Sequence, residues 1–296
     1  MTTTRAGEPM DLRVGSLVVR PGEYAVMAII NRTPDSFYDA GATYEFGAAL
    51  ERVDEVVDEG ADIVDIGGVK AGYGDDVGAA EELRRTADFV EAVRDRHPDL
   101  PISVDTWRGE VAHVLCELGA NLVNDTWAGH DLEIAAVAAE NDAGLVCSHT
   151  GGLAPRTDPH RVAYDDVVAD VVHTTTALAE RATELGVDPQ RILVDPTHDF
   201  GKNTRHSLEL TRRLGELVAT EWPVLVALSN KDFVGETLDV PRADRLAGTL
   251  AATVVSAMAG ARVFRAHDVR ETRQALDMVA SIHGTRPPAV ARRALA

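Results

Sequence analysis

The stretch Ala28–Gly41 reads AIINRTPDSFYDAG. Its apolar half extends back to Tyr24 as YAVMAII, stops at Asn31, and gives way to a polar loop holding Pro34, Asp35, Ser36 and Asp39. The run does not alternate between apolar and polar residues, as expected of a strand covered on both faces. A helical pattern follows from Tyr44 to Glu59. The same unit recurs along the chain: DIVDI before Gly78–Arg96, ISVD before Arg108–Leu118, NLVND before Leu132–Asn141, GLVCSH before Tyr164–Gly186, RILVD before Ser207–Thr220, VLVAL before Pro241–Ala259 and RVFRA before Val269–His283. Strands alternating with helices predict a parallel sheet. Eight such units close naturally into a (β/α)8 barrel, a TIM barrel of α/β class, with a doubly wound open sheet as the second reading.

The 296 residues fit one domain of this kind, and no Pro- or Ser-rich linker divides them. DLRVGSLVVRP, within the first 22 residues, is expected to form a hairpin at the barrel bottom. With only 5% aromatic residues, the core must be built from Val, Ala, Leu and Ile. The formal charge of −19 opposes contact with nucleic acid or an anionic membrane, but leaves room for a locally basic pocket. Cys116 and Cys147 read as two small buried hydrophobes in a reducing compartment. The N-terminus has no apolar segment of the secretory type, so a cytoplasmic location is expected. AGTLAATVVSAMAGARVF, broken by Thr and Ser, reads as a buried helix running into a strand rather than a membrane span.

In such a barrel the functional groups gather where strands end. The expected strand ends carry Asn31, Asp65, Asp105, Asn124 with Asp125, His149, Asp195, Ser229-Asn230-Lys231, and Arg265 with His267-Asp268. A single strand-end Asp is usually a helix cap or loop brace. Polar groups at all eight ends are harder to explain by capping and should converge on one mouth. Asp105, Asn124 and Asp195 offer acceptors on neighbouring strands, and Lys231 offers a donor. That set suits a flat heterocycle with an amidine-like edge. Asn31, Arg265 and His267 form a second polar group, where barrels often hold phosphate. The neutral oxygen of Asn31 could serve Mg²⁺, which keeps several waters.

The motifs NRTPDSF, DIGG, SVDT, ND, SHTGG…PRT, DP…FGKN, SNKDF and RAHDV, in this order from Val26 to Ile282, together resemble the dihydropteroate synthase family. The resemblance implies a homodimeric barrel that joins a dihydropterin-methyl pyrophosphate to p-aminobenzoate, releasing pyrophosphate with Mg²⁺. Asp105, Asn124, Asp195 and Lys231 then look like the pterin-binding set. Asn31 looks like the metal and pyrophosphate contact, and Arg265 and His267 like the stacking and pyrophosphate pair. Asp35 lies in the loop that covers the leaving group in the family. Asp35, Lys231, Arg265 and His267 are the candidate catalytic residues.

The chain departs from the family pattern in its loops. Where the family has Glu-Ser-Thr-Arg-Pro-Gly, this sequence has Val69-Lys70-Ala71-Gly72-Tyr73-Gly74, so the arginine becomes Gly72. A lost charge-assisted hydrogen bond costs roughly 1.5–3 kcal/mol. Lys70 stands two places earlier and lacks the planar fork of an arginine. Ser-Arg-Lys becomes Ser229-Asn230-Lys231, and two glycines of the usual Pro-Gly-x-Gly-Phe-Gly-Lys become Thr197 and Asp199. The pattern looks like the diverged second copy of the enzyme found in some actinobacteria. The expected function is a pterin-binding homologue whose synthase activity is weak or absent. An active dihydropteroate synthase of folate biosynthesis is the alternative, and a pterin-dependent methyl transferase on a similar barrel is a more remote one.

Overall fold

The computed structural model describes residues 10–33, 45–70, 72, 74, 76–157 and 162–293. Asp35, Ala71 and Tyr73 lie outside them. A short antiparallel hairpin opens the described chain, β1 (Leu12–Val14) and β2 (Leu17–Val19), turning at Gly15. Eight parallel strands follow: β3 (Ala25–Asn31), β4 (Ile63–Gly67), β5 (Ile102–Asp105), β6 (Leu122–Asp125), β7 (Gly144–Ser148), β8 (Ile192–Asp195), β9 (Leu225–Ala227) and β10 (Val263–Ala266). They lie in the order β8-β7-β6-β5-β4-β3-β10-β9. A parallel bridge between Val194 and Val224, with Val194 N–H donating to Pro223 O at 2.9 Å, joins the two ends of the sheet into a barrel.

Strand alternation divides the core in two. Ala25, Met27, Ile63, Leu122, Val146, Leu193, Leu225 and Val263 point into the lower barrel, where Leu12, Val14 and Val19 of the hairpin cover them. Val26, Ala28, Ile30, Val64, Ile66, Val104, Val123 and Phe264 face outward and are buried under the helices. Those helices are α1 (Phe46–Asp58), α2 (Ala79–Arg96), α3 (Gly109–Glu117), α4 (Ile134–Glu140), α5 (Val167–Glu184), α6 (Thr204–Arg212), α7 (Leu214–Val218), α8 (Asp232–Leu238), α9 (Leu246–Ala259) and α10 (Val269–His283).

Three local readings need correction. The single helix expected over Ser207–Thr220 is two, α6 and α7, broken at Arg213. There the guanidinium bonds Asp166, Glu209 and Glu216, and Gly215 follows with its low helix propensity. α8 has only seven residues, too short to show a periodic pattern, and ends at Asp239 in a left-handed conformation (φ 52°). Finally, α9 is not a buried helix. Its inward residues are the small or polar Thr249, Thr253, Ser256 and Ala257, while Val255 and Met258 are exposed.

Candidate active site at the strand C-termini

Strand register sets the mouth. Asn31 pairs with Gly67, Gly67 with Asp105, and Asp105 with Asn124, so four adjacent strands reach one level there, with Asn31, Asp105 and Asn124 supplying the side chains. They line a cleft of about 620 Å³ together with Asp195, Lys231, Arg265 and His267. Seven of the eight residues singled out in the sequence thus meet in one place; Asp35 lies outside the described residues. His149 and Asp125 do not join them. His149 is fully buried and turns toward α5, its Nε2 2.6 Å from Asp170 Oδ1. Asp125 accepts from the N–H groups of Trp127 (3.0 Å) and Gly129 (2.6 Å), the loop-brace role that such a residue usually has.

Asp65 stands among the expected strand-end groups but not among the candidate binding or catalytic residues. It is the middle residue of β4, not its end, and is completely buried. It accepts from Arg265 Nε at 2.6 Å, Ser103 Oγ at 2.6 Å and Asn124 Nδ2 at 3.1 Å. Arg265 Nη2 donates onward to Asp105 Oδ2 at 2.8 Å, and Asp105 Oδ1 takes the Thr126 hydroxyl at 2.9 Å. One guanidinium therefore bridges two carboxylates, fixing the orientation of Asp105 and Asn124 on the floor. The available signal was an acid inside an apolar run, since an Asp at such a position is almost never buried unless paired.

Burial dominates the electrostatics here. It pushes Asp105 up to about 7, against the pull of Arg265. It pushes Asp195 up to about 6, against the Thr197 N–H and the charge of Lys231. Burial also lowers Lys231, with Asp199 and Asp195 opposing it. Arg265 moves the other way: burial alone would lower it, but Asp65 and Asp105 outweigh that and keep it protonated. The floor thus combines one permanent cation with carboxylates that can accept from a bound donor edge.

The walls are aromatic and loop-built. Lys231 Nζ lies 4.2 Å from the centre of the Phe200 ring, and Phe200 meets Trp127 edge-on at 5.6 Å. Trp107 and Val69 complete this apolar cluster. Phe200 is held by Lys202, a buried lysine whose ammonium donates to the carbonyls of His149 (2.8 Å), Thr197 (3.1 Å) and Phe200 (2.9 Å). It ties the loop after β7 to the loop after β8. Gly201 makes this closeness feasible, because a Cβ there would lie 2.2 Å from Thr150 O. Lys70 and Gly72 of the second loop also line the cleft. A side chain on Gly72 would first meet Lys70 Cε at 3.5 Å, an ordinary contact. His267 Nδ1 stands 3.1 Å from Ser229 Oγ at the rim.

No group of three or more His, Cys, Asp or Glu among the described residues could hold a metal ion. The donor at the mouth is the amide of Asn31. This set fits only a hard ion that keeps its waters and shares a phosphate-bearing ligand, as Mg²⁺ does. Among the described residues no helix is long and apolar enough to cross a membrane.

Residues 27–267 match the family described as pterin binding enzyme. Among curated relatives, the chain is 58% identical over 275 residues to the "Inactive dihydropteroate synthase 2" of Mycobacterium leprae, covering 92% of this chain and 94% of that protein. It is 36% identical to the dihydropteroate synthase of Escherichia coli K12, over 86% of this chain and 90% of that one. Among solved structures, the Yersinia pestis dihydropteroate synthase in a sulfonamide drug complex superposes with a TM-score of 0.87 at 33% identity, over 94% of this chain and all of that one.

Proposed function

The chain belongs to the dihydropteroate synthase family of pterin-binding enzymes, and from that premise we propose that it binds a dihydropterin at the barrel mouth while forming dihydropteroate weakly or not at all. One contrast carries this reading. The Asp65–Arg265–Asp105–Asn124 network is complete, whereas the second loop has glycine at position 72 where the family pattern has arginine. Relatives bearing the name inactive dihydropteroate synthase 2 support the same reading.

In the proposed site Asp105, Asn124 and Asp195 take the donor edge of the pterin. Lys231, held against Phe200, donates to a ring acceptor and packs the ring's outer face. Arg265 fixes the floor and adds positive charge under the reacting methylene side chain. The family reaction displaces pyrophosphate from that methylene by an aromatic amine, and no covalent nucleophile is needed. What the protein must supply is orientation, stabilisation of the departing anion and exclusion of water. Asn31, His267 and, on motif grounds alone, Asp35 would serve the pyrophosphate end. Mg²⁺ bound there would neutralise charge on the leaving group, with Asn31 giving one oxygen. Without an arginine at 72, one charge-assisted contact to the anion is gone, worth about 10- to 150-fold.

We further propose a homodimer formed through α9 and α10. Their exposed Val255, Met258, Met278 and Ile282 present an apolar face on neighbouring helices, and α9 turns its polar side inward. Val255→Glu with Met278→Glu should convert a dimer to a monomer in light scattering; an unchanged mass would end that proposal. The free, buried Cys116 and Cys147 suit a reducing cytoplasm.

The functional test is steady-state dihydropteroate formation by the purified protein with Mg²⁺, beside Gly72→Arg, with pterin binding followed by calorimetry. Pterin binding without turnover, and a gain of turnover in the variant, is the expected result. Full turnover by the unmodified protein would make it an ordinary synthase instead. Absence of pterin binding would defeat both readings.

A further inference from the structure

Asp199 lies on the outer wall of the cleft, four residues past Asp195, in a left-handed conformation (φ 69°) that a β-carbon makes uncommon. Its side chain is not loose. Oδ1 accepts the Ser207 hydroxyl of α6 at 3.0 Å, and Oδ2 accepts the N–H of Phe233 in α8 at 3.2 Å. The Ser207 oxygen in turn takes the Asp199 N–H at 3.2 Å. A carboxylate is thereby clamped between two helices at the edge of the cleft, close to Lys231, whose charge it partly offsets. The neighbouring cation is also engaged: Arg245 Nη1 donates to Asp232 Oδ1 and to Asn230 O, both at 2.8 Å. A ligand carboxylate entering this end would face the Asp199 carboxylate, with the adjacent Arg245 already partnered.

We propose that Asp199 is a specificity-determining residue of this cleft: its clamped carboxylate disfavours a carboxylate-bearing second ligand and selects a neutral ligand of the same shape. The proposal rests on the reading of the mouth as a pterin site with a second-ligand end. Specificity of this kind works by a repulsive element built against the wrong partner. Two like charges several ångströms apart in a partly buried site repel by enough to change affinity about tenfold.

The test compares 4-aminobenzoate with its neutral isostere 4-aminobenzamide, by calorimetry on the full chain, with and without saturating 6-hydroxymethylpterin and pyrophosphate. The unmodified protein should bind the amide at least as tightly as the acid. Asp199→Asn keeps one acceptor, for the Phe233 N–H, while its amide NH2 can donate to Ser207 Oγ, and it tolerates the left-handed backbone, so the fold should be retained, as its melting temperature would report. In that variant the acid should bind about tenfold more tightly, with the amide changed by less than about twofold. Asp199→Gly, which removes the carboxylate altogether, should shift the ratio in the same direction. A preference of the unmodified protein for the acid, or a ratio unmoved in both variants, would overturn the role of Asp199. Failure of the pterin to bind, read in the same titrations, would instead count against the proposed function.

Discussion

At the inner end of the mouth, Asp65, Asp105, Asn124 and Arg265 stand on strands and bond one another directly. At the outer end, Lys70, Gly72, Asp199 and Asn230 stand on loops, with Asp199 held by Ser207 and Phe233 and Asn230 by Arg245 rather than by the floor groups. The inner groups cannot change singly, because each buried partner would be left uncompensated. The outer groups can, since a loop substitution disturbs fewer obligatory bonds. This difference accounts for a chain that keeps the floor of a pterin site while its rim departs from the family pattern.

Arg265→Met would break the inner half most severely. It strands the fully buried Asp65 and the mostly buried Asp105 without their shared cation. A loss of about 3–5 kcal/mol is expected from chemical denaturation, together with loss of pterin binding. A loss below about 1 kcal/mol would mean that the network is not interdependent.

Asp195→Asn should act more mildly and sharpen the pH argument. Burial raises Asp195 to about 6, so its carboxylate accepts from a ligand only above that pH. Pterin affinity should weaken by at least about tenfold from pH 7 to pH 5, and the Asn variant should be weaker at pH 7 and keep only the smaller pH dependence that Asp105, raised to about 7, contributes. Stability runs the opposite way. A raised folded-state pKa gives a contribution fully present below the ordinary Asp range and lost as pH rises through about 6. The variant should therefore show less of the destabilisation that accompanies this rise, read from melting curves at pH 4 and 7.

The smallest effect is expected from Trp127→Phe. The ring packs against Phe200, but its buried Nε1 has no hydrogen-bond partner among the described residues. Removing an unsatisfied donor offsets part of the lost packing, so a stability change within about 1 kcal/mol is expected. A large fall in pterin affinity would show that the indole touches the ligand rather than only supporting Phe200.

Much of this was legible in the linear chain because parallel strands leave a simple trace. Continuous apolar runs ending in a polar residue located Asn31, Asp105, Asn124 and Asp195, and the barrel geometry brought them together. The same rule failed for Asp125 and His149, whose side chains leave their strand ends away from the cleft. A strand end has two faces, and a run of apolar residues on both does not reveal which face a terminal side chain takes. Asp65 reads as a strand end but not as a site residue, whereas β4 runs on to Gly67 and carries Asp65 in its interior. α9 was misread for a related reason: a helix built mostly of small and apolar residues signals burial somewhere, without saying whether its own barrel or another surface covers it.

The amino-acid sequence by itself determined the eight strand–helix units, the family to which they belong, and the loss of arginine from the second loop. These are local patterns, written in consecutive residues. Only the tertiary structure decided that one guanidinium bridges Asp65 and Asp105, that Lys202 ties two loops through three carbonyls, and that Asp199 is clamped between α6 and α8. Arg265 and Asp65 are separated by 200 positions in the chain, and their pairing follows from barrel closure, which brings β10 beside β3 and so within one strand of β4.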